Sequence, residues 1–259
     1  MDSPIICFGQ QPCGFFPKRF LVAKINTAKK LQTEIGGRVV FFYHDSDADY
    51  RETITLMKDG LTGDEVRLNF TQENKLQKKY SPLYLKRIPA GWKEEMLKQL
   101  PRVVKKPLVD LFASVEAKNA ADFCLEMYKK LGLLEGIEII RSSDPHFRKS
   151  APNIIEGYAD VEYQGEIVRA KIEPNRLALH EGGGVYTYLP KPGKLNKEQI
   201  TPGADERFKW MREGIHCNHY IYGEGEKEYL KFSDFPDVKF LLRDEISEPS
   251  FAWIPQQIF

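Results

Sequence analysis

Short unbroken apolar runs alternate along this chain with longer stretches of helical spacing. Residues 5–8 form an apolar run closed by Gly9. After a Gly/Pro-rich loop, residues 18–35 place Phe20, Leu21, Lys24, Ile25, Ala28 and Leu31 at helical spacing. Gly36 and Gly37 end that helix. The run at 39–43 follows with no polar alternation, as expected of a strand covered on both faces. Strand, helix, strand in this order is a βαβ unit, and it predicts a parallel sheet.

Further on, residues 59–70 read as hairpin-like, with Val66, Leu68 and Phe70 alternating, and 71–91 as a charged, proline-punctuated connection. Residues 92–100, 103–116 and 120–131 read as three helices, divided by Pro101 and ended by Gly132. Trp92, Met96, Phe112 and Phe123 fall on their apolar stripes and are assigned to packing. A buried strand follows at 137–140. Residues 158–189 alternate like antiparallel strands around Gly182, Gly183 and Gly184. A helix at 204–213, a strand at 220–222, a helix at 225–232 and a strand at 238–242 complete the pattern. The reading is an α/β fold, a Rossmann-like parallel sheet with flanking helices. Residues 1–157 and 200–259 form the core with its helical layer, and 158–199 a small β-rich insertion.

Composition narrows the partners. The 259 residues suffice for a substantial core, and 38 basic residues against 37 acidic ones leave no block of like charge. Neither nucleic acid nor a membrane surface is expected, and a small-molecule substrate is. Cys7, Cys13, Cys124 and Cys217 show neither CxxC nor regular spacing, which argues against a disulfide framework. The N-terminus has neither a basic region nor a long apolar run, so a cytoplasmic location is expected.

Candidate chemistry gathers where predicted strands end, because open α/β sheets keep ligands at the carboxyl ends of their strands. Gly9 and Gly14 permit close backbone approach, the next helix offers its N-terminus to an anion, and Gln10 and Gln11 supply orienting amides. An ordinary strand-to-helix turn explains the same residues equally. Lys18 and Arg19 at that helix start are either anion-neutralising or solvated. His44, Asp45 and Asp47 crowd the loop after the second strand. They read as a group able to orient an amine, act as general base or hold Mg²⁺; a loop cap, with Asp49 starting a helix, is the rival. His216 and His219 form an HxxH lacking further ligands at recognisable spacing, so no metal site is assigned. Lys191, Lys194 and Lys197 read as a solvated linker, with closure over phosphates as the alternative.

Several of these motifs resemble one family. The segment from Phe8 to Pro17, leading into a lysine-rich helix, is similar to the Gly-Gln-Gln-x-Gly loop of the cysteine-adding enzymes of bacillithiol biosynthesis, with one extra residue before Gly14. His44, Asp45, Ser46 and Asp47 stand where that family has Glu-Asp-His-Asp. Ser143, Asp144 and Pro145 match its Ser-Asp-Pro, Arg207 the arginine of its Leu-Arg-Pro, and Gly223, Glu224, Gly225 and Glu226 resemble its Gly-Pro-Gly-Glu. Met211 and Arg212 replace its Gln-Asp, and the chain has no room for its long coiled coil.

The resemblance implies a core akin to nucleotidylyltransferases and class I aminoacyl-tRNA synthetases. It implies ATP with Mg²⁺ as cofactor and condensation of an activated carboxylate, such as an amino acid, with an amine. Without the coiled coil it implies a monomer. Its site would comprise Gly9, Gln10, Gln11, Gly14, Lys18, Ser143, Asp144, Gly223, Gly225 and Glu226 for the ligand, with Arg207 clamping a carboxylate and His44, Asp45 and Asp47 in catalysis. A binding protein that keeps the fold without the chemistry is the alternative.

Overall fold

A computed structural model describes residues 3–150, 157–203 and 206–255. In chain order it begins with β1 (Ile5–Gln10), α1 (Arg19–Ile35) and β2 (Arg38–Tyr43), then the hairpin β3 (Thr55–Lys58) and β4 (Glu65–Leu68). Helices α2 (Lys75–Lys79), α3 (Trp92–Gln99), α4 (Lys106–Ala113) and α5 (Ala120–Lys130) lead to β5 (Ile137–Arg141) and α6 (Pro145–Ser150). Five strands follow: β6 (Tyr158–Tyr163), β7 (Glu166–Ile172), β8 (Arg176–Gly182), β9 (Val185–Pro190) and β10 (Ile200–Thr201). Then come α7 (Arg207–Gly214), β11 (His219–Tyr222) and β12 (Lys239–Leu242).

β12, β11, β1, β2 and β5 lie side by side in that order, all parallel. The apolar runs of β1 and β2 explain their central place, since strands buried on both faces need no polar alternation. Successive side chains enter opposite cores. Ile6, Phe8, Val39, Phe41 and Tyr43 pack with α1 and α3–α5, while Cys7, Val40, Phe42 and Tyr220 pack with α6 and α7. This is a Rossmann-like sheet flanked by helices. Its strand order reverses between β1 and β11, and that is where such sheets open a crevice.

The loop between β1 and α1 is core. Phe15 touches the rings of Phe70, Trp92, Phe112 and Phe123 at centroid distances of 5.9, 5.9, 5.2 and 6.4 Å. The expected packing role of the last three rings is thus realised around a residue from the loop. Tyr128 Oη accepts from Cys13 N (3.0 Å) and donates to Gly14 O (2.7 Å). Gly14 has φ +93°, and a Cβ there would lie 2.8 Å from Thr55 Oγ1, so only glycine fits.

β10, β6, β7, β8 and β9 form a second, antiparallel sheet over their own apolar cluster of Val161, Val168, Leu177 and Leu179. Glu166 anchors it to the connection after β4, accepting from Gln77 Nε2 (2.7 Å) and Arg87 Nη2 (2.7 Å). That connection contains α2, capped by Asn74 at its start and closed by the buried Lys86, which donates to Gln77 O (2.6 Å) and Lys78 O (2.9 Å). These are the carbonyls a helix C-terminus leaves unpaired.

Boundaries depart from expectation for local reasons. The first hairpin strand starts at Thr55, because the turn spans residues 59–64. The helix read at 103–116 shortens to α4, which begins around Pro107, a residue whose missing N–H suits a first helical turn. Residues 225–232 form 3₁₀ turns instead of an α-helix. Gly223 and Gly225 disfavour helix there, and the Glu226 carboxylate turns back to accept Gly223 N. Among the described residues no helix is long and apolar enough to cross a membrane.

Truncating Phe15 to Ala is expected to cost about 3–5 kcal/mol, as removal of a buried aromatic does. Chemical denaturation would show it as a lowered midpoint. A loss below about 1 kcal/mol would mean that this loop is not part of the core.

Candidate functional site

At the reversal between β1 and β11 lies a cleft of about 430 Å³. Gly9, Gln10 and Gln11 reach it from the end of β1, His44 from the loop after β2, and Arg207 from the first turn of α7. Gly223, Gly225 and Glu226 reach it from the turn after β11. Met211, Tyr220, Tyr229 and Leu230 add apolar wall.

Asp47 braces the cleft from behind. It accepts from Arg207 Nη2 (2.9 Å) and Gln11 Nε2 (3.2 Å) on Oδ2 and from Asp49 N (3.1 Å) on Oδ1, with Arg169 Nη1 3.8 Å away. Burial works to raise the Asp47 carboxyl, but Arg169 and Arg207 outweigh it and hold the group far below the usual carboxylate range. It stays an anion. Arg207, with Nη2 committed to Asp47, keeps an unpaired Nε instead of a free fork for a substrate carboxylate.

His44 is fully buried, and neither ring nitrogen has a hydrogen-bond partner. Burial and the neighbouring Arg207 push its pKa well below the ordinary histidine value against the pull of Asp47, so the ring is neutral. A neutral imidazole offers one donor and one acceptor.

The expected catalytic trio does not act as one. Asp45 is fully buried and its oxygens are filled. Oδ2 accepts from Arg141 Nε (2.6 Å) and Ser143 Oγ (2.7 Å), and Oδ1 from Ser143 N (2.9 Å) and Ser142 Oγ (3.1 Å). A carboxylate with four donors is a brace between the ends of β2 and β5 and has no lone pair left for a base. Ser143 is thereby used up, and Asp144 caps α6 by accepting His146 N (2.9 Å); neither lines the cleft. Asp49 starts a turn, accepting Arg51 N (2.9 Å), and no helix begins there.

The anion cradle expected at the α1 N-terminus is also corrected. Arg19 N donates to Phe251 O (2.9 Å) and Phe20 N to Pro249 O (3.1 Å), so the chain's own later segment fills these helix-end donors. Gly14 lies in the core, and Lys18 donates to Glu52 O (3.2 Å); neither borders the cleft. Lys191 donates to Glu173 O and Pro174 O beside the antiparallel sheet.

Glu226 and Lys24 form a pair that sequence reasoning half missed. Glu226 accepts from Tyr220 Oη (2.6 Å), Gly223 N (2.7 Å) and Lys24 Nζ, and Lys24 also donates to Gly9 O (2.9 Å). Together they tie the β11 turn to β1 and form the cleft floor. A lysine on the buried stripe of α1 was the available signal, since lysine is almost never fully buried unless paired.

A second cleft of about 640 Å³ lies on the other side of Asp47, between the 47–51 loop and the antiparallel sheet, with Arg169 in its wall. Among the described residues no group of three or more His, Cys, Asp or Glu side chains is placed to hold a metal ion. Compared with protein-family models and with curated proteins, the sequence matches none.

Two measurements test this assignment. His44 takes up a proton on unfolding at any pH between its depressed folded value and about 6.5. Its contribution to stability is therefore complete above pH 6.5 and lost as the pH falls below it. Denaturant midpoints from pH 8 to 5 should fall more steeply for wild type than for His44→Gln, by at most about 1.4 kcal/mol per pH unit. Equal slopes would mean that His44 is not held neutral. Asp45→Ala should lower stability by several kcal/mol, because it strands the donors of the buried Ser142 and of Ser143 and leaves Arg141 with Asp122 alone as carboxylate partner. An Asp45→Ala protein as stable as wild type would remove the bracing role.

Proposed function

We propose that the switch-point cleft binds a small molecule and that its chemistry is ATP-dependent activation of a small carboxylate followed by condensation with an amine. The observation that carries this reading is convergence. Gly9, Gln10, Gln11, Arg207, Gly223, Gly225 and Glu226, in the order of the motifs of the cysteine-adding enzymes, meet in one cleft with His44.

The lining suits such reactants. Lys24, Arg207 and Arg243 stand against Glu52, Glu224 and Glu226, a balance that fits a zwitterion such as an amino acid. Arg207 and Arg243 each carry a buried Nε with no protein partner, and these would hold the phosphates in place of the capped helix end. Phe20, Tyr229 and Leu230 would take the base. ATP supplies the leaving group that a free carboxylate lacks. The protein's own part is to orient the reactants through Gln10 and Gln11, and to accept at His44 the proton released as the amine attacks.

A non-catalytic binding protein is the second reading. Its support is specific: Asp45 is consumed as a brace, and Met211, at the place of the family's glutamine, walls the cleft with a thioether.

Isothermal titration with ATP and Mg²⁺ tests the proposal. Wild type should bind saturably. Gly9→Val should bind at least about tenfold more weakly, because a Cβ at Gly9 already approaches Met211 Cε to 3.3 Å and the rest of the valine must enter the cleft. Absence of ATP binding by wild type would leave the second reading alone.

A further inference from the structure

Behind the cleft, three arginines from three elements meet two aspartates in the interior. Arg148 on α6, Arg169 on β7 and Arg207 on α7 have side chains 3%, 7% and 16% exposed; Asp47 and Asp160 are 15% and 5% exposed. Arg148 Nη1 pairs with Asp160 Oδ2 at 2.9 Å and Arg207 Nη2 with Asp47 Oδ2 at 2.9 Å. Asp160 sits directly opposite Arg169 in the β6–β7 ladder, so the five groups are continuous.

The charges do not balance. Arg169 reaches Asp47 only at 3.8 Å, and its hydrogen bonds go to Thr201 Oγ1 (3.2 Å) and Pro202 O (2.6 Å), neither an anion. Among the described residues no further carboxylate pairs with any of the three arginines. With His44 neutral, the ion pairs of this cluster set three cations against two anions, and Arg169 has no carboxylate within hydrogen-bond distance; Glu52, in the wall of the switch-point cleft, acts on Arg207 only from farther off. Unused hydrogen-bonding atoms occur on the same residues: the donors Arg148 Nη2 and Arg207 Nε, both ring nitrogens of His44, and one acceptor, Asp160 Oδ1, on the partner of Arg148. Native interiors seldom leave such atoms unpaired, and the three unpaired nitrogens of Arg207 and His44 belong to residues that line a cleft with room for a ligand.

Access exists from both sides. His44 and Arg207 line the switch-point cleft, while Asp47 and Arg169 line the second cleft, so the cluster is the wall between them. We propose that this wall is a receptor for a small oxyanion, the carboxylate or phosphate group of a ligand, seated on Arg207 and His44 with the charge of Arg169 and Arg148 behind it. The inference rests on the cleft being a small-molecule site, but not on ATP being the ligand.

Titration calorimetry with inorganic phosphate and with acetate tests it, using sodium chloride at equal ionic strength as control. Wild type should bind one of the two oxyanions saturably, one per chain. Arg169→Gln should weaken that binding about tenfold or more, and Asp160→Asn, which deletes a neighbouring negative charge, should tighten it by a similar factor. The second variant keeps the test decisive where the first does not fold. Competition with ATP identifies the source of the group: displacement by ATP assigns the receptor to a nucleotide phosphate, and oxyanion binding indifferent to ATP assigns it to a free anion or a carboxylate ligand. Both outcomes uphold the receptor, and the latter does so even if the nucleotide reading fails. No oxyanion binding by wild type, or binding equal in wild type and Asp160→Asn, would overturn it even if ATP binds elsewhere in the cleft.

Discussion

Two carboxylates on one loop, Asp45 and Asp47, hold together the carboxyl edge of the parallel sheet. Asp45 takes four donors from the end of β5 and the turn that follows it, and Asp47 joins the loop after β1 to α7 and the antiparallel sheet. Segments far apart in sequence thereby share anions that are costly to leave unpaired. Buried ion pairs of this kind add little net stability over well-packed apolar residues, but breaking one is expensive. Their role here is to fix which loops meet and in what geometry.

The same loop holds His44 in the opposite state. Asp47 favours a charged imidazole, yet burial and the surrounding arginines win, and a neutral ring results between an anion and a group of cations. The cleft thus presents a proton acceptor and unpaired arginine nitrogens on an apolar background. On that combination the proposed oxyanion receptor rests.

Much of the architecture was legible in the chain. The apolar run at 39–43 pointed to a doubly covered strand, and β2 is one; Gly36 and Gly37 marked the end of α1; the alternation at 158–189 became antiparallel strands. These signals are local, because burial on both faces, helix termination and strand alternation each leave a short-range pattern. The site was half legible. Gly9, Gln10, Gln11, His44, Arg207 and Glu226 border the cleft, whereas Asp45, Ser143, Asp144, Gly14 and Lys18 serve packing, capping or bracing. A polar residue at a strand's end looks the same from sequence whether its partner is a ligand or a neighbouring loop.

By itself, then, the sequence determined the strands of the parallel sheet, the main helices and the loops at which polar groups gather, since these follow from spacing and side-chain chemistry over a few residues. Only the tertiary structure decided that residues 249–251 would cap α1, that Lys24 would floor the cleft with Glu226, and that Arg148, Arg169 and Arg207 would converge behind His44. Each is a contact between segments with no shared local pattern. Their pairing is set by where the sheet order carries them and by the cost of leaving a buried charge or helix end without a partner.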